Sequence, residues 1–379
     1  MKTFDFVIVG SGLTGATMAR LLTDLDHRVL VLERRDHIGG NVADRLHSSG
    51  IRVGLYGPHY FRTSSDALWS FVNRFARFHP FEAEVRSRVR GRLENWPVGA
   101  GYIRRTVGAD WSPEFRGVPR NFEEAALSMM PRSIYEDFVR GYTEKQWGAP
   151  ATALSAALAG RFDVREDDDP RLTPTRKHQG VPADGYTALV ENMLSGIPYE
   201  LNCDYLRMRT VFTARKALIF TGSIDAYYGF QFGALAYRAQ KRSTDYHADV
   251  EFVQPCVQVN EPDPAVFHIR TIEWKHLLPE AQRRRVRGTV LTRETPCSVA
   301  SAEETPEYPF PDAANKTLYQ RYRELAAQEP TTLICGRLGE YRYYDMDQAI
   351  ARAQALVRQL LETQPWAAKR PSRLMPAGA

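Results

Sequence analysis

The sequence predicts a mixed α/β chain in which a βαβ unit opens the fold, a mainly helical region is inserted, and an antiparallel sheet follows. Three observations carry this reading. Phe4 to Val9 and Arg28 to Glu33 are short, mostly apolar and β-branched runs, as in strands covered on both faces. Between them, Ala16, Ala19, Leu22 and Leu25 recur at helical spacing. From roughly residue 200, short alternating segments recur at Val211 to Thr221, Asp249 to Val257 and Val286 to Thr292, and alternation predicts antiparallel strands.

The remaining elements follow in chain order. From about residue 64 to 150 the pattern is helical, and the stripe Leu68, Phe71, Val72, Phe75 reads as core. Glu84 to Leu93 alternates like a strand or hairpin inside that region. Arg165 to Gly185 is polar, rich in Asp and Pro and poorly periodic, the best candidate for a mobile loop. A helix through Leu318 to Leu325, a strand at Thr332 to Gly336 and a long helix from about Met346 to Glu362 close the chain, with a frayed tail from Pro365. The expected domains are 1–78, completed by roughly 186–235 and 315–379; a mainly helical domain at 79–160; a mobile active-site loop at 161–185; and an antiparallel sheet domain at 200–314.

Composition excludes several classes. Across 379 residues, 43% hydrophobic and 25% charged is ordinary for a soluble globular protein. The net charge of +5 is spread along the chain, and Arg283-Arg284-Arg285 reads as a solvated face. No basic run interleaved with aromatics marks a nucleic-acid surface; the mild basic excess suits an anionic small molecule better. Cys203, Cys256, Cys297 and Cys335 form no CxxC pair, so neither a metal site nor a disulfide scaffold is expected. No stretch is long and apolar enough to insert in a membrane, and no signal peptide is read at the N-terminus, so the default compartment is cytoplasmic.

The first βα turn reads Gly10-Ser11-Gly12-Leu13-Thr14-Gly15. A lone GxGxxG is a weak signal. Here it follows a buried strand, opens a helix and has Glu33 about twenty residues on, the context of a Rossmann-like dinucleotide site. Gly10 permits the tight turn, Gly12 lets backbone approach a pyrophosphate, and Gly15 allows close helix–sheet packing. The helix N-terminus supplies N–H groups and a positive dipole end, and Glu33 is placed for ribose hydroxyls. Arg34-Arg35 and Ile38-Gly39-Gly40-Asn41 then follow. That glycine pair resembles the large FAD-binding family that includes amine oxidases. FAD is therefore expected on Gly10, Gly12, Leu13, Thr14, Gly15, Glu33, Arg34, Gly40 and Asn41. Near the C-terminus, a helix starting near Asp345 would stabilise negative charge on a reduced flavin.

The segment Gly141-Tyr142-Thr143-Glu144-Lys145-Gln146-Trp147 closely resembles the signature of bacterial UDP-galactopyranose mutase. Further blocks match in order: Tyr56-Gly57-Pro58-His59-Tyr60-Phe61, Asn95-Trp96-Pro97, Gly180-Val181-Pro182, Phe232-Gly233-Ala234-Leu235, and Gly336 to Met346. The resemblance implies that reduced FAD acts as a nucleophile. In this family its N5 attacks the anomeric carbon of a nucleotide-linked pyranose and displaces the diphosphate. Ring opening and reclosure through O4 then give the furanose without net redox. A diffusible NAD(P)H is the implied reductant.

By motif position, Arg161 and Arg270 resemble the family's diphosphate arginines, whose planar forks match phosphate oxygens. Tyr308 and Tyr343 resemble its phosphate-contacting tyrosines. Phe138 and Tyr142 resemble the aromatic pair on the nucleobase, with Trp147 near the sugar and Asn95 and Asn260 as further substrate contacts. His59 lies at the flavin-proximal histidine, with Arg337, Asp345 and Met346 beside the isoalloxazine. Taken singly, these aromatics read as helix core, Arg270 as a solvated strand position and His59 as a structural histidine. The joint match favours the functional reading.

Four departures concern the substrate. Asp167-Asp168-Asp169-Pro170-Arg171-Leu172 stands where the family carries a Tyr-Phe pair, and Arg171 is expected to take over part of the phosphate contact. His178 stands where the family has an aromatic, Arg62 where it commonly shows a second histidine, and His268 with Ile269 where it has Tyr-Thr. The expected substrate is a UDP- or dTDP-linked hexose such as UDP-galactose, and the departures leave open a different sugar, such as a 6-deoxy or amino sugar on UDP or dTDP. Two other readings compete: an amine-oxidase-like FAD oxidoreductase, and a silent paralogue that only binds a nucleotide sugar or a partner. The helical region leaves room for a homodimer face without a readable heptad.

Overall fold

Five short strands pair in parallel in the order Tyr199–Glu200, Val29–Leu32, Phe4–Val9, Ala214–Phe220 and Thr332–Ile334. The computed structural model that shows this describes residues 3–161, 164–299 and 305–363, without the side chains of Arg161 and Thr363. Parallel neighbours need crossovers, and the first is the helix Leu13–Thr23. It buries Ala16, Ala19 and Leu22 in one core with Ile350, Ala353 and Val357 of the closing helix Met346–Thr363. Leu68, Phe71, Val72 and Phe75 join that core. Leu25 lies beyond the end of the first helix.

A seven-stranded sheet holds Tyr308–Pro309, Tyr237–His247, Thr289–Ser298, Arg270–Glu273, Gln258–Asn260, Val85–Val89 and Arg92–Trp96 in that order. The expected hairpin at Glu84 to Leu93 is real, but it belongs to this sheet and not to the helical region. Val85–Val89 pairs in parallel with Gln258–Asn260, so the sheet is mixed. The insertion's helices, with Phe122, Ile134, Tyr135, Phe138 and Trp147 in their core, pack beside its end.

Three further expectations are corrected. Val211 to Thr221 does not join the antiparallel sheet: Ala214–Phe220 is a central strand of the parallel one. Its last four residues, Ala217 to Phe220, are all buried, a continuous apolar run that a strand covered on both faces requires. Asp249 to Val257 forms no strand. Its backbone is held instead by the fully buried Glu273, which accepts hydrogen bonds from Val253 N (2.9 Å), Gln254 N (2.8 Å) and Thr289 Oγ1 (2.7 Å). The segment Arg165 to Gly185 is a loop only in part. His178–Pro182 is the central strand of a small sheet between Phe61–Thr63 and Phe78–Pro80.

Replacing Glu273 by Ala strands two backbone N–H groups and a hydroxyl in the interior. The expected cost is about 3 kcal/mol of unfolding free energy, read as a lower urea midpoint at unchanged slope.

Candidate functional site

The dinucleotide turn is built by steric necessity. Gly10 has φ +101°, and a Cβ there would lie 2.1 Å from Thr221 Oγ1. A Cβ on Gly15 would lie 2.0 Å from the Gly10 carbonyl oxygen, so only glycine lets the helix close on the turn. Gly12 caps the helix without a side-chain hydrogen bond, leaving its first N–H groups for a ligand. Opposite stands Gly40, φ +56°, where a Cβ would press on Gly12. These glycines line one cavity with Leu13, Thr14, Glu33, Arg34, Asn41, His59, Arg337 and Met346.

Glu33 is pinned before any ligand arrives. Its Oε2 accepts from Ser11 N (2.9 Å) and Ser11 Oγ (2.7 Å), and its Oε1 from Arg35 N (2.9 Å). Arg35, which the sequence reading passed over, lines the same cavity. It donates to Asn41 Oδ1 (2.8 Å) and lies over the Tyr56 ring at 4.4 Å, while its Nη1 is buried without a partner among the described residues. An uncapped helix end, a backbone cradle no Cβ can enter and an orphaned buried guanidinium nitrogen all fit a dinucleotide's pyrophosphate.

A second cavity has aromatic walls: Trp96, Phe122, Phe138, Tyr142 and Trp147, with Asn260, Arg270, Tyr308 and Tyr343 at its polar end. Phe138 stacks on Trp96 at 6.4 Å. A third cavity joins the two. It shares Asn41, His59, Arg337 and Met346 with the dinucleotide cavity and Arg270, Tyr308 and Tyr343 with the aromatic one. Asp345 lines this junction, 3.9 Å from Arg62, just before the closing helix. Tyr308 and Tyr343 stack in parallel at 5.8 Å, and Arg337 lies 4.5 Å over Tyr343. Burial pushes the Tyr308 hydroxyl up to about 12, so it is a neutral donor. Burial, aided by Arg337 and Arg242, lowers His59 to about 3 and keeps the imidazole uncharged.

Arg270 is held from behind. Its Nε donates to Glu294 Oε2 (2.5 Å), and Arg242 Nε to Oε1 of the same carboxylate (2.8 Å). Arg242 also grips Glu307 with two bonds (2.8 and 2.9 Å). Glu294 is fully buried. Burial alone would raise its pKa, but Arg270 and Arg242 hold it below the usual carboxylate range. No spacing in the sequence links these residues; the sheet register does, since Arg270 and Arg242 both oppose Glu294 on neighbouring strands.

Some expected residues stand elsewhere. Arg171 faces Asp169 (2.6 Å) and Glu82 (3.1 Å) and does not line the cavity; two carboxylates already occupy its donors. Asn95 takes a hydrogen bond from Arg86 and donates to the Asp168 carbonyl (3.0 Å), anchoring the acidic segment. Arg161 ends a short helical turn, and its side chain lies outside the described residues. His178 stacks on Trp69 at 5.2 Å and meets Asp66 at 2.6 Å. His268 is half-buried near Glu261 and Lys145.

The parallel sheet, the uncapped helix and the polar aromatic cavity opening onto it define a chain with a Rossmann-like dinucleotide-binding unit. Residues 8–75 match the family model of the NAD(P)-binding Rossmann-like domain, and residues 137–343 that of UDP-galactopyranose mutase. The chain is 33% identical over 366 residues to the dTDP-fucopyranose mutase of Escherichia coli, covering 92% of this chain and 96% of that one. It is 28% identical over 390 residues to the UDP-galactopyranose mutase of Mycoplasma genitalium, covering 95% and 96%. The crystal structure of a reduced UDP-galactopyranose mutase shares the fold, with a TM-score of 0.70 at 16% identity and coverage of 95% and 96%. The chain belongs to the UDP-galactopyranose mutase family and is an isomerase of the mutase type. Among the described residues no helix is long and apolar enough to cross a membrane.

Two outcomes are expected. Glu294→Gln leaves Arg270 and Arg242 without their shared carboxylate and should cost about 3–5 kcal/mol in urea denaturation at neutral pH. Because the folded carboxyl is held below its unfolded value, this stability is present above the ordinary carboxylate pKa and lost as pH falls through the folded value; the variant's acid dependence should be flatter. For His59, imidazole nitrogen-15 shifts should show a neutral ring through neutral pH, with a midpoint near about 3. A midpoint at the unperturbed 6.5 would refute the burial argument.

Proposed function

We propose that the chain is a flavin-dependent nucleotide-sugar mutase that binds FAD and works with it reduced. It interconverts the pyranose and furanose forms of a hexose carried on UDP or dTDP. The observation that carries this reading is the continuity of the cavities: Arg270, Tyr308 and Tyr343 stand where the dinucleotide cavity meets the aromatic one. When bound, the reduced isoalloxazine supplies a nucleophilic nitrogen to the anomeric carbon.

The chain's own residues do the rest. Phe138 and Tyr142 offer flat faces to the nucleobase. Arg270, fixed by Glu294, sets positive charge where the diphosphate departs and returns, with Tyr308 as a neutral hydroxyl donor. Neutral His59 accepts or donates a hydrogen bond at the flavin edge without adding charge. An amine-oxidase-like oxidoreductase, the alternative, would have little use for an arginine and two tyrosines at the mouth of its cofactor cavity.

The test is a panel of UDP- and dTDP-linked hexopyranoses, including UDP-galactose and 6-deoxy and amino sugars, given to dithionite-reduced protein and read by chromatography and mass spectrometry. An isomer of unchanged mass, formed only by reduced protein, is expected. From oxidised protein, a product two mass units lighter, its hydride passed to the flavin, would point to the oxidoreductase. UDP-galactopyranose as best substrate by a wide margin would overturn the altered-sugar part of the reading.

A further inference from the structure

The mutase signature Gly141–Trp147 places Tyr142 and Trp147 in the aromatic cavity; Lys145 does not line it. Its ammonium donates to the carbonyl oxygens of Glu261 (2.5 Å), Asp263 (2.8 Å), Val266 (2.8 Å) and His268 (3.1 Å). Three N–H donors thus serve four acceptors, so the contacts share protons around one point charge. All four carbonyls belong to one loop, 261–268, which joins Gln258–Asn260 to Arg270–Glu273. Asn260 and Arg270, register partners at the two ends of that loop, are both cavity residues.

A second observation concerns the same contact. Gly141, one helical turn before Lys145, meets the loop so closely that a Cβ would lie 2.1 Å from the Pro262 carbonyl oxygen. The helix is therefore pressed to the loop at Gly141 and cross-linked to it at Lys145. Its C-terminal carbonyls are tied separately to the sheet, by Arg238 to Gln146 O (2.8 Å) and Lys145 O (3.2 Å).

We propose that Lys145 is a positioning residue. Caged by the four carbonyls of the 261–268 loop, it fixes the helix bearing Tyr142 and Trp147 against the hairpin bearing Asn260 and Arg270. The nucleobase and diphosphate ends of the cavity are thereby held at one spacing. This rests on the reading that the cavity takes a nucleoside diphosphate. A ligand that touches both ends depends on that spacing; a fragment that touches one end does not.

The experiment measures Kd values of flavin-loaded protein for UDP and dTDP, and separately for uridine, thymidine and pyrophosphate. Lys145→Met removes the charge while keeping the stem. It should weaken UDP or dTDP by roughly ten- to hundredfold, the scale of lost hydrogen bonds to a charged group, while the fragments bind as in the wild type and flavin content is unchanged. In Lys145→Gly, added methylammonium should restore nucleoside diphosphate affinity by entering the carbonyl cage. Should Lys145→Met not fold, Gly141→Ala displaces the same loop from the other contact and should give the same selective loss. Unchanged nucleoside diphosphate affinity, or equal losses for fragments and whole ligand, overturns the proposal. A wild-type chain that binds neither UDP nor dTDP would instead overturn the reading of the cavity.

Discussion

The buried chain Arg270–Glu294–Arg242–Glu307 is the constraint on which the site depends. Burying two carboxylates and two guanidinium groups costs several kcal/mol per ion before any pairing. A hydrophobic quartet of the same volume would fold as well, so stability alone does not explain it. What the quartet provides is direction. Glu294 holds Arg270 and Arg242 from one carboxylate, and Arg242 reaches on to Glu307. Arg270 at the cavity's throat is thus held by a carboxylate, Glu294, that does not itself line the joined cavities. Gly57, φ +100°, closes the back of this arrangement: a Cβ there would lie 2.9 Å from Glu294 Oε1. The turn that carries His59 therefore follows the position of the carboxylate.

That coupling ties the two sheets into one site. The parallel sheet supplies the dinucleotide cradle through its first turn, and the seven-stranded sheet supplies Arg270, Gln258 and Asn260. The segment Tyr56 to Tyr60 runs between them, lining the junction with His59 and Tyr60. Burial raises the pKa of Tyr60 and Tyr308 and lowers that of His59, so these groups are all neutral at physiological pH. Positive charge at the junction comes from Arg62, Arg270 and Arg337, beside the carboxylates Glu307, Asp345 and Asp347; of the three arginines, Arg270 is set by the buried Glu294. On the mutase reading, Arg270 and Tyr308 meet the departing anion without reorganisation.

The βαβ unit was legible because its determinants are local. A buried parallel strand is an apolar run, and a glycine demanded by φ or by a 2 Å clash has no substitute. The hairpin at 85–96 was legible as a hairpin, but its parallel partner at 258–260 lies far along the chain and leaves no local trace. Ala214–Phe220 was misplaced because its leading residues alternate while its buried half does not. Asp249 to Val257 alternates too, yet Glu273 satisfies its backbone in place of a strand. Arg35 is invisible beside Arg34 until the fold turns one inward and leaves the other exposed. The Arg270–Glu294–Arg242 chain is a register effect between strands far apart in the sequence, and it leaves no local pattern around any one of the three residues.

The structure also narrows where substrate choice resides. Of the four departures from the family pattern, Arg171 is held by Asp169 and Glu82, and His178 by Asp66 and Trp69. His268 gives its carbonyl to Lys145. None of these three residues lines the joined cavities, but Leu172, in the same departing segment as Arg171, lines both the aromatic cavity and the junction. Arg62 stands at the junction too, 3.9 Å from Asp345. An arginine carries five donors in a planar fork, and a histidine at that position would carry at most two. On the mutase reading, the departures that line the substrate path are the apolar Leu172 and the gain of donors at Arg62.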